Sequence, residues 1–211
     1  MCHPLYRARV DIAVVVNGGM AETLQATPLL RTLRAGYPTA RIALLCPSTP
    51  ADIADGIPPV DQVVPLASLR GHRSGGLRLW TTLRGLRLDA VFLCTTGALP
   101  ATSAYLAGIS QRSGVGGGIG MLLTGRVKPR RSENQAETWL RLAQVGGVHQ
   151  QLHSPIFEPG HEARRRAEQV LHGTGRADGR LLIAIAPGPG YAESHAASPS
   201  PTTRNPERCA S

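Results

Sequence analysis

The sequence predicts an α/β protein built on an open parallel, Rossmann-like sheet. Three observations carry this. Short runs recur that are apolar almost throughout, as strands covered on both faces are. Several of these runs lead through a glycine-containing turn into residues with apolar side chains at helical spacing. Strand and helix then alternate along the chain, which is the pattern of right-handed crossovers.

The first strand is Val10-Asp11-Ile12-Ala13-Val14-Val15-Val16, closed by the turn Asn17-Gly18-Gly19. A helix follows from Ala21 to Ala35, with Leu24, Thr27, Leu30 and Leu33 inward and Arg31 and Arg34 outward. Pro28 lacks an N–H and should kink that helix or mark its true start. Arg41-Ile42-Ala43-Leu44-Leu45-Cys46 reads as a second strand and Gln62-Val63-Val64-Pro65 as a short third. A helix over Gly76 to Leu86 leads to a fourth strand, Asp89-Ala90-Val91-Phe92-Leu93-Cys94. Leu99 to Ala107 is a small-residue helix, and Ser113-Gly114-Val115-Gly116 a fifth strand ending in glycines. Gly116 to Ser132 reads as one long Gly- and Arg-rich loop, of a length that is usually functional or mobile. Glu133 to Val145 returns to helix with Trp139, Leu140 and Leu142-Ala143 as its apolar face. Gly160 to His172 is a charged helix whose Arg164-Arg165-Arg166 suits a solvated face. Leu181 to Ala186 is one more strand of buried type, and 191–211, rich in Ala, Ser, Pro, Thr and Arg without periodicity, reads as a disordered tail.

Composition narrows the partners. A chain of 211 residues that is 42% hydrophobic can bury a core, which with only 4% aromatics must be mostly Leu, Val, Ile and Ala. The net charge of +9 is nearly all arginine, since Lys128 is the only lysine. Such charge suits a polyanionic partner, a phosphorylated sugar or an anionic membrane surface, and equally an arginine-rich bias on solvated faces. No basic run is interleaved with aromatics, so nucleic acid is not expected. Cys2, Cys46, Cys94 and Cys209 form no CxxC pair, and Met1 to Arg9 has no apolar stretch of a secretion signal. A reduced, cytoplasmic protein is the expectation, with no run of the roughly 20 apolar residues that a bilayer crossing needs.

Ligands of open α/β sheets bind at the carboxyl ends of the strands. Three glycine turns fall at such ends: Asn17-Gly18-Gly19-Met20, Thr95-Thr96-Gly97 and Gly116-Gly117-Gly118. Each permits close backbone approach, and each is also what an ordinary turn requires. The first turn lacks GxGxxG, so a dinucleotide site, and with it a nicotinamide-dependent oxidoreductase, is not supported; nor does a GxxxxGK[ST] or GxSxG motif occur. Glu22 stands in the first helical turn after β-strand and bend, where a carboxylate can serve as general base or simply complement the helix dipole. His149 and His153 have i,i+4 spacing but no accompanying carboxylate motif, and neither metal nor cofactor is called for.

The stretch Val16-Asn17-Gly18-Gly19-Met20-Ala21-Glu22-Thr23-Leu24-Gln25-Ala26-Thr27-Pro28-Leu29-Leu30-Arg31-Thr32-Leu33-Arg34 resembles the opening of glycosyltransferase family 9, the ADP-heptose:lipopolysaccharide heptosyltransferases and their relatives. That opening reads strand, then G-[DE]-x-[LI]-x-x-[TL]-P-x-[LI]-x-x-[LI]-[KR]. Tyr37-Pro38-x-Ala40-Arg41-Ile42, Arg112-Ser113-Gly114-Val115-Gly116-Gly117, Leu122-Leu123-Thr124-x-Arg126-Val127 and Glu137-Thr138-Trp139-Leu140-Arg141-Leu142 resemble the same family in order. Ile183-Ala184-Ile185-Ala186-Pro187-Gly188-x-Gly190 is similar to the strand and turn that open its second domain.

The resemblance implies the N-terminal half of a GT-B fold, with the active site in a cleft between two Rossmann-like halves. It divides the chain into an N-terminal extension (1–9), an acceptor-side domain (10–178), the first strand and turn of an incomplete donor-binding domain (179–190) and the tail (191–211). It implies an inverting transfer of sugar from a nucleotide sugar of ADP-heptose type to a lipopolysaccharide-type or other glycan or lipid-linked acceptor. The alternative is a truncated, non-catalytic acceptor-binding remnant. Glu22 falls at the catalytic carboxylate. Substrate contacts fall at Asn17, Gly18, Gly19, Met20, Thr96, Gly97, Gly116, Gly117, Arg126 and Lys128, and donor contacts at Pro187, Gly188 and Gly190. Arg126, Lys128, Arg130 and Arg131 suit acceptor phosphates and equally a solvated loop. Peripheral contact with the inner membrane surface accords with this reading.

Three departures stand out. Ala21-Glu22 replaces the family's Gly-Asp pair, and the extra methylene of Glu moves the carboxylate by roughly 1 Å, enough to affect near-attack geometry. Asn134 stands where members often carry His, and Thr203 to Arg208 echoes a later segment without its tryptophan.

Overall fold

Asp11–Val15 (β1), Arg41–Pro47 (β2), Gln62–Leu66 (β3), Ala90–Leu93 (β4), Gln111–Val115 (β5) and Gly125–Val127 (β6) form one sheet in the order β3-β2-β1-β4-β5-β6, every pair parallel. This computed structural model describes residues 10–47, 56–57, 60–66, 73–116, 120–149 and 154–173. The helices are Met20–Gln25 (α1), Thr27–Gly36 (α2), Arg73–Gly85 (α3), Ala98–Leu106 (α4), Gln135–Val145 (α5) and His161–Gly173 (α6), with a 3-10 turn at Gly120–Leu122. The chain divides into two units, residues 1–168 and 169–211; the sheet and α1 to α5 belong to the first. Of the second, only the end of α6 is described. The extension 1–9, the boundary at 178/179, the strand 181–186, its turn and the tail 191–211 lie outside the described residues.

The apolar runs of β1, β2 and β4 are continuous because each of these strands feeds two cores. Ile12 and Val14 of β1, Ile42 and Leu44 of β2 and Phe92 of β4 pack with Leu29, Leu30 and Leu33 of α2 and Trp139 and Leu142 of α5. Their neighbours Ala13, Val15, Ala43, Leu45, Val91 and Leu93 pack on the opposite face with Leu79 and Leu83 of α3 and Ala101 and Ala104 of α4. Successive side chains point to opposite faces of a strand, so both faces must be apolar. Cys46 and Cys94 are buried, as their places at the ends of apolar runs suggest.

Two elements differ from the expectation. The helix read as Ala21 to Ala35 is two helices, broken at Ala26. Pro28 enters the first turn of α2, where its missing N–H costs nothing, and Thr27 Oγ1 donates to the carbonyl of Leu24 at 2.7 Å. The segment read as one loop from Gly116 to Ser132 contains β6, with Ser113 opposite Gly125 and Val115 opposite Val127. Three residues are too few to establish a period of two, and Arg126 on this outermost strand is exposed, as charged residues on sheet edges commonly are. The expected solvated face of α6 holds: Arg164, Arg165 and Arg166 are exposed, and Glu162 pairs with Arg165 at 2.8 Å and Arg166 at 3.2 Å. No helix among the described residues is long and apolar enough to cross a membrane.

One ion pair ties the start of the sheet together. Arg34 of α2 donates to the carboxylate of Asp61 and, at 2.6 Å, to the carbonyl of Ala40, while the Ile42 N–H reaches the same carboxylate at 2.7 Å. Partial withdrawal from water raises the Asp61 pKa, but the Ile42 N–H and the charge of Arg34 outweigh it and hold the carboxyl below its ordinary 3.8. A depressed native value contributes stability that is complete above pH 3.8 and is lost as pH falls through that lowered value. Because the Asp61 side chain is 45% exposed, the loss should not exceed about 1 kcal/mol. Urea unfolding between pH 2 and 6 should show this acid-side slope reduced in Asp61→Asn; an unchanged slope removes Asp61 from the pH dependence.

Candidate functional site

β1 and β4 lie side by side at the centre of the sheet, yet the chain leaves β1 toward β2 on one side and β4 toward β5 on the other. At such a reversal the loops after the two strands diverge and leave a crevice at their carboxyl ends. A cavity of about 570 Å³ lies there. Val16, Asn17, Gly18 and Glu22 line it from the β1–α1 turn, Cys94, Thr95 and Thr96 from the end of β4, and Val115 from the end of β5. The opposite wall is Pro129 and Glu133 with Gln135, Thr138 and Trp139 at the start of α5.

Glu22 is half-buried, faces this cavity and makes no ion pair with another described residue. Its orientation depends on Gly18. A Cβ added at Gly18 would fall 2.3 Å from Cδ, 2.5 Å from Cγ and 2.6 Å from Cβ of Glu22, so the side chain of Glu22 lies back over a residue that must have none of its own. Gly19 caps α1, its carbonyl accepting from Thr23 N at 3.1 Å and Thr23 Oγ1 at 3.0 Å, while Met20 is 54% exposed. Gly18→Ala is expected to turn Glu22 out of the cavity and to cost about 1–3 kcal/mol of stability as overpacking. A crystal structure and a urea melt of the variant check both; an unmoved Glu22 with an unchanged midpoint would overturn this account.

The second carboxylate is in a different state. Glu133 accepts from Arg141 Nη1 at 2.8 Å and from Arg130 Nη1 at 3.1 Å. Desolvation pushes its carboxyl upward, but the hydrogen bond and charge of Arg141, joined by Arg130, outweigh it and hold Glu133 below the ordinary range. A carboxylate so paired is a poor proton acceptor. Cys94 is buried, and burial pushes its thiol far up, so it remains neutral and is no nucleophile. The remaining polar lining, Asn17, Thr95, Thr96, Gln135 and Thr138, is uncharged.

The structure thus brings Asn17, Gly18, Glu22 and Thr96 together and places the other described candidates elsewhere. Gly97, with φ of +122°, is the cap of α4 and lies outside the lining; a side chain there would be strained. Gly116 donates its N–H to the Val127 carbonyl at 2.7 Å, and the Arg126 side chain lies against it, exposed on the edge strand rather than in the cavity. Lys128 is exposed and lends only its carbonyl, which accepts from Arg141 at 3.1 Å. Arg130 is committed to Glu133, and Arg131 is exposed. Gly117, Pro187, Gly188 and Gly190 lie outside the described residues, as does His153; His149 is exposed.

Asn134 has a structural task. Its Oδ1 accepts from Glu137 N at 2.9 Å while Glu137 accepts from Asn134 N at 3.1 Å, a reciprocal cap that starts α5. Glu133, Gln135, Thr138 and Trp139 were not expected as site residues from the sequence, which placed Trp139 only on the apolar face of its helix. The pattern Asn134-x-x-Glu137 is the local signal that marks this helix start, but nothing local says which strand ends it faces.

No family model matches the chain. It is similar to the lipopolysaccharide heptosyltransferase 2 of Escherichia coli (strain K12), with 27% identity over 158 residues that cover 71% of this chain and 45% of that protein. Among solved structures, a family 9 glycosyl transferase from Veillonella parvula superposes with a TM-score of 0.68 at 16% identity, covering 84% of this chain and 54% of its own. The E. coli ADP-heptose lipopolysaccharide heptosyltransferase II gives a TM-score of 0.65 at 21% identity with the same coverage, 84% and 54%. The chain spans about half the length of these relatives. Its six-stranded parallel sheet with helices on both faces is the fold of about half of such GT-B structures.

Proposed function

We propose that this chain, heptosyltransferase-like in sequence and in fold, supplies the acceptor-side surface of an inverting glycosyltransferase in which Glu22 is the general base. An acceptor hydroxyl enters the cavity and gives its proton to the Glu22 carboxylate. The oxygen attacks the anomeric carbon of a nucleotide sugar of ADP-heptose type from the face opposite the leaving group. The bond to the nucleoside diphosphate breaks and its electron pair departs on the diphosphate. The observation that carries this reading is the contrast between two carboxylates in one cavity: Glu133 is doubly bound by arginines, whereas Glu22 faces the space unpaired. The acceptor is a lipopolysaccharide-type or other lipid-linked glycan, met on the cytoplasmic side with peripheral contact at the inner membrane, in keeping with the +9 charge.

No arginine or lysine of the described residues lines the cavity, so the departing diphosphate needs charge partners on another surface; the turn Pro187-Gly188-Pro189-Gly190 is its proposed start. The same lack of cations favours a second reading, acceptor binding without transfer. Incubating the purified chain with ADP-heptose and a heptose-terminated oligosaccharide distinguishes them. ADP release with a new anomeric signal of inverted configuration supports transfer; acceptor binding without ADP release leaves the second reading; absence of both removes each.

A further inference from the structure

We propose that the cavity selects an uncharged sugar as the reacting unit of the acceptor and turns away its acidic or phosphorylated counterparts. This rests on the reading of the cavity as the acceptor site. The polar lining is amide and hydroxyl, Asn17, Thr95, Thr96, Gln135 and Thr138, which are groups that exchange hydrogen bonds with sugar hydroxyls and hold no net charge.

The usual ways of holding an anion are already taken by the protein's own carboxylates. Arg130 and Arg141, the cations behind the wall, both bind Glu133. The N-terminal end of α5, whose first turns line the cavity, is capped by Asn134 and carries Glu137 in its first turn. The first turn of α1 carries Glu22 itself. A helix N-terminus attracts an anion through its free N–H groups and dipole, and an acidic residue in that first turn satisfies the same field. α4 has no acid in its first turn, but Gly97 and Ala98 at its start lie outside the lining. A carboxylate or phosphate entering this space would meet the unpaired Glu22 and no free cation among the described residues, and like charges at close quarters are strongly discriminating.

The test is a binding series on the full chain by calorimetry at low ionic strength. The probes are methyl heptopyranoside, the same sugar oxidised to its uronate, and its phosphate monoester. The neutral sugar is expected to bind at least ~10-fold more tightly than either anion. Added salt should narrow the difference. Glu22→Gln, which removes the charge and keeps the size, should narrow it too, and Gln135→Lys, which places a cation on the exposed first turn of α5, should reverse the order. Equal or tighter binding of the anions by the unaltered chain overturns the charge selection while leaving the acceptor site in place. Binding of none of the three probes removes the acceptor-site reading and this inference with it.

Discussion

Glu22→Gln is expected to lower kcat for sugar transfer by roughly 100- to 10,000-fold, the range that a positioned general base contributes, with acceptor binding nearly unchanged. Gln keeps the volume that packs over Gly18 and can still bond a hydroxyl, but it cannot take the proton as the oxygen attacks. A loss confined to kcat marks an interaction made only in the transition state. Glu133→Gln is the internal comparison. It weakens the bonds to Arg130 and Arg141, so it should loosen the segment that walls the cavity and raise KM more than it lowers kcat. The assay is steady-state transfer with ADP release as readout. Full activity in Glu22→Gln, or a larger kcat loss in Glu133→Gln, would move the base away from Glu22.

Trp139→Ala should cost about 3–5 kcal/mol of folding stability, read from the urea midpoint, and weaken acceptor binding as well. Trp139 is 2% exposed and belongs at once to the core beneath the sheet and to the cavity wall. Removing the indole leaves a void between α5 and the sheet, and the neighbouring Gln135 and Thr138 lose the support that holds them at the cavity. Leu142→Ala separates the two consequences. Leu142 is fully buried in the same core but does not line the cavity, so it should lose about 2–5 kcal/mol with binding intact in the folded fraction. If both variants bind acceptor equally well, Trp139 is a core residue alone.

The contrast between these two residues shows what could be read from the chain. β1, β2 and β4 were legible because the interior residues of a doubly covered strand are apolar, so burial is written into consecutive positions. β6 was not, because Gly125-Arg126-Val127 is short, and its one exposed arginine carries the signature of a loop. Gly125 is there for a tertiary reason: a Cβ added to it would fall 2.3 Å from Val145 of α5. Pro28 announced a helix boundary, yet whether α1 kinked or restarted depended on the Thr27 bond to Leu24 and the packing of α2.

By itself the sequence determined the class of fold, the position of the first glycine bend and the presence of Glu22 just beyond it. These are local properties, since side-chain alternation, turn chemistry and helix starts are decided within a few residues. Only the tertiary structure decided that Glu22 shares a cavity with Glu133, Gln135, Thr138 and Trp139, more than 100 positions away. It also decided which of the two carboxylates is left without an arginine and that Arg126 and Lys128 lie outside the cavity. The reason is the sheet order: β1 and β4 become neighbours and α5 closes over their ends through crossovers, a long-range arrangement that no short window of residues encodes.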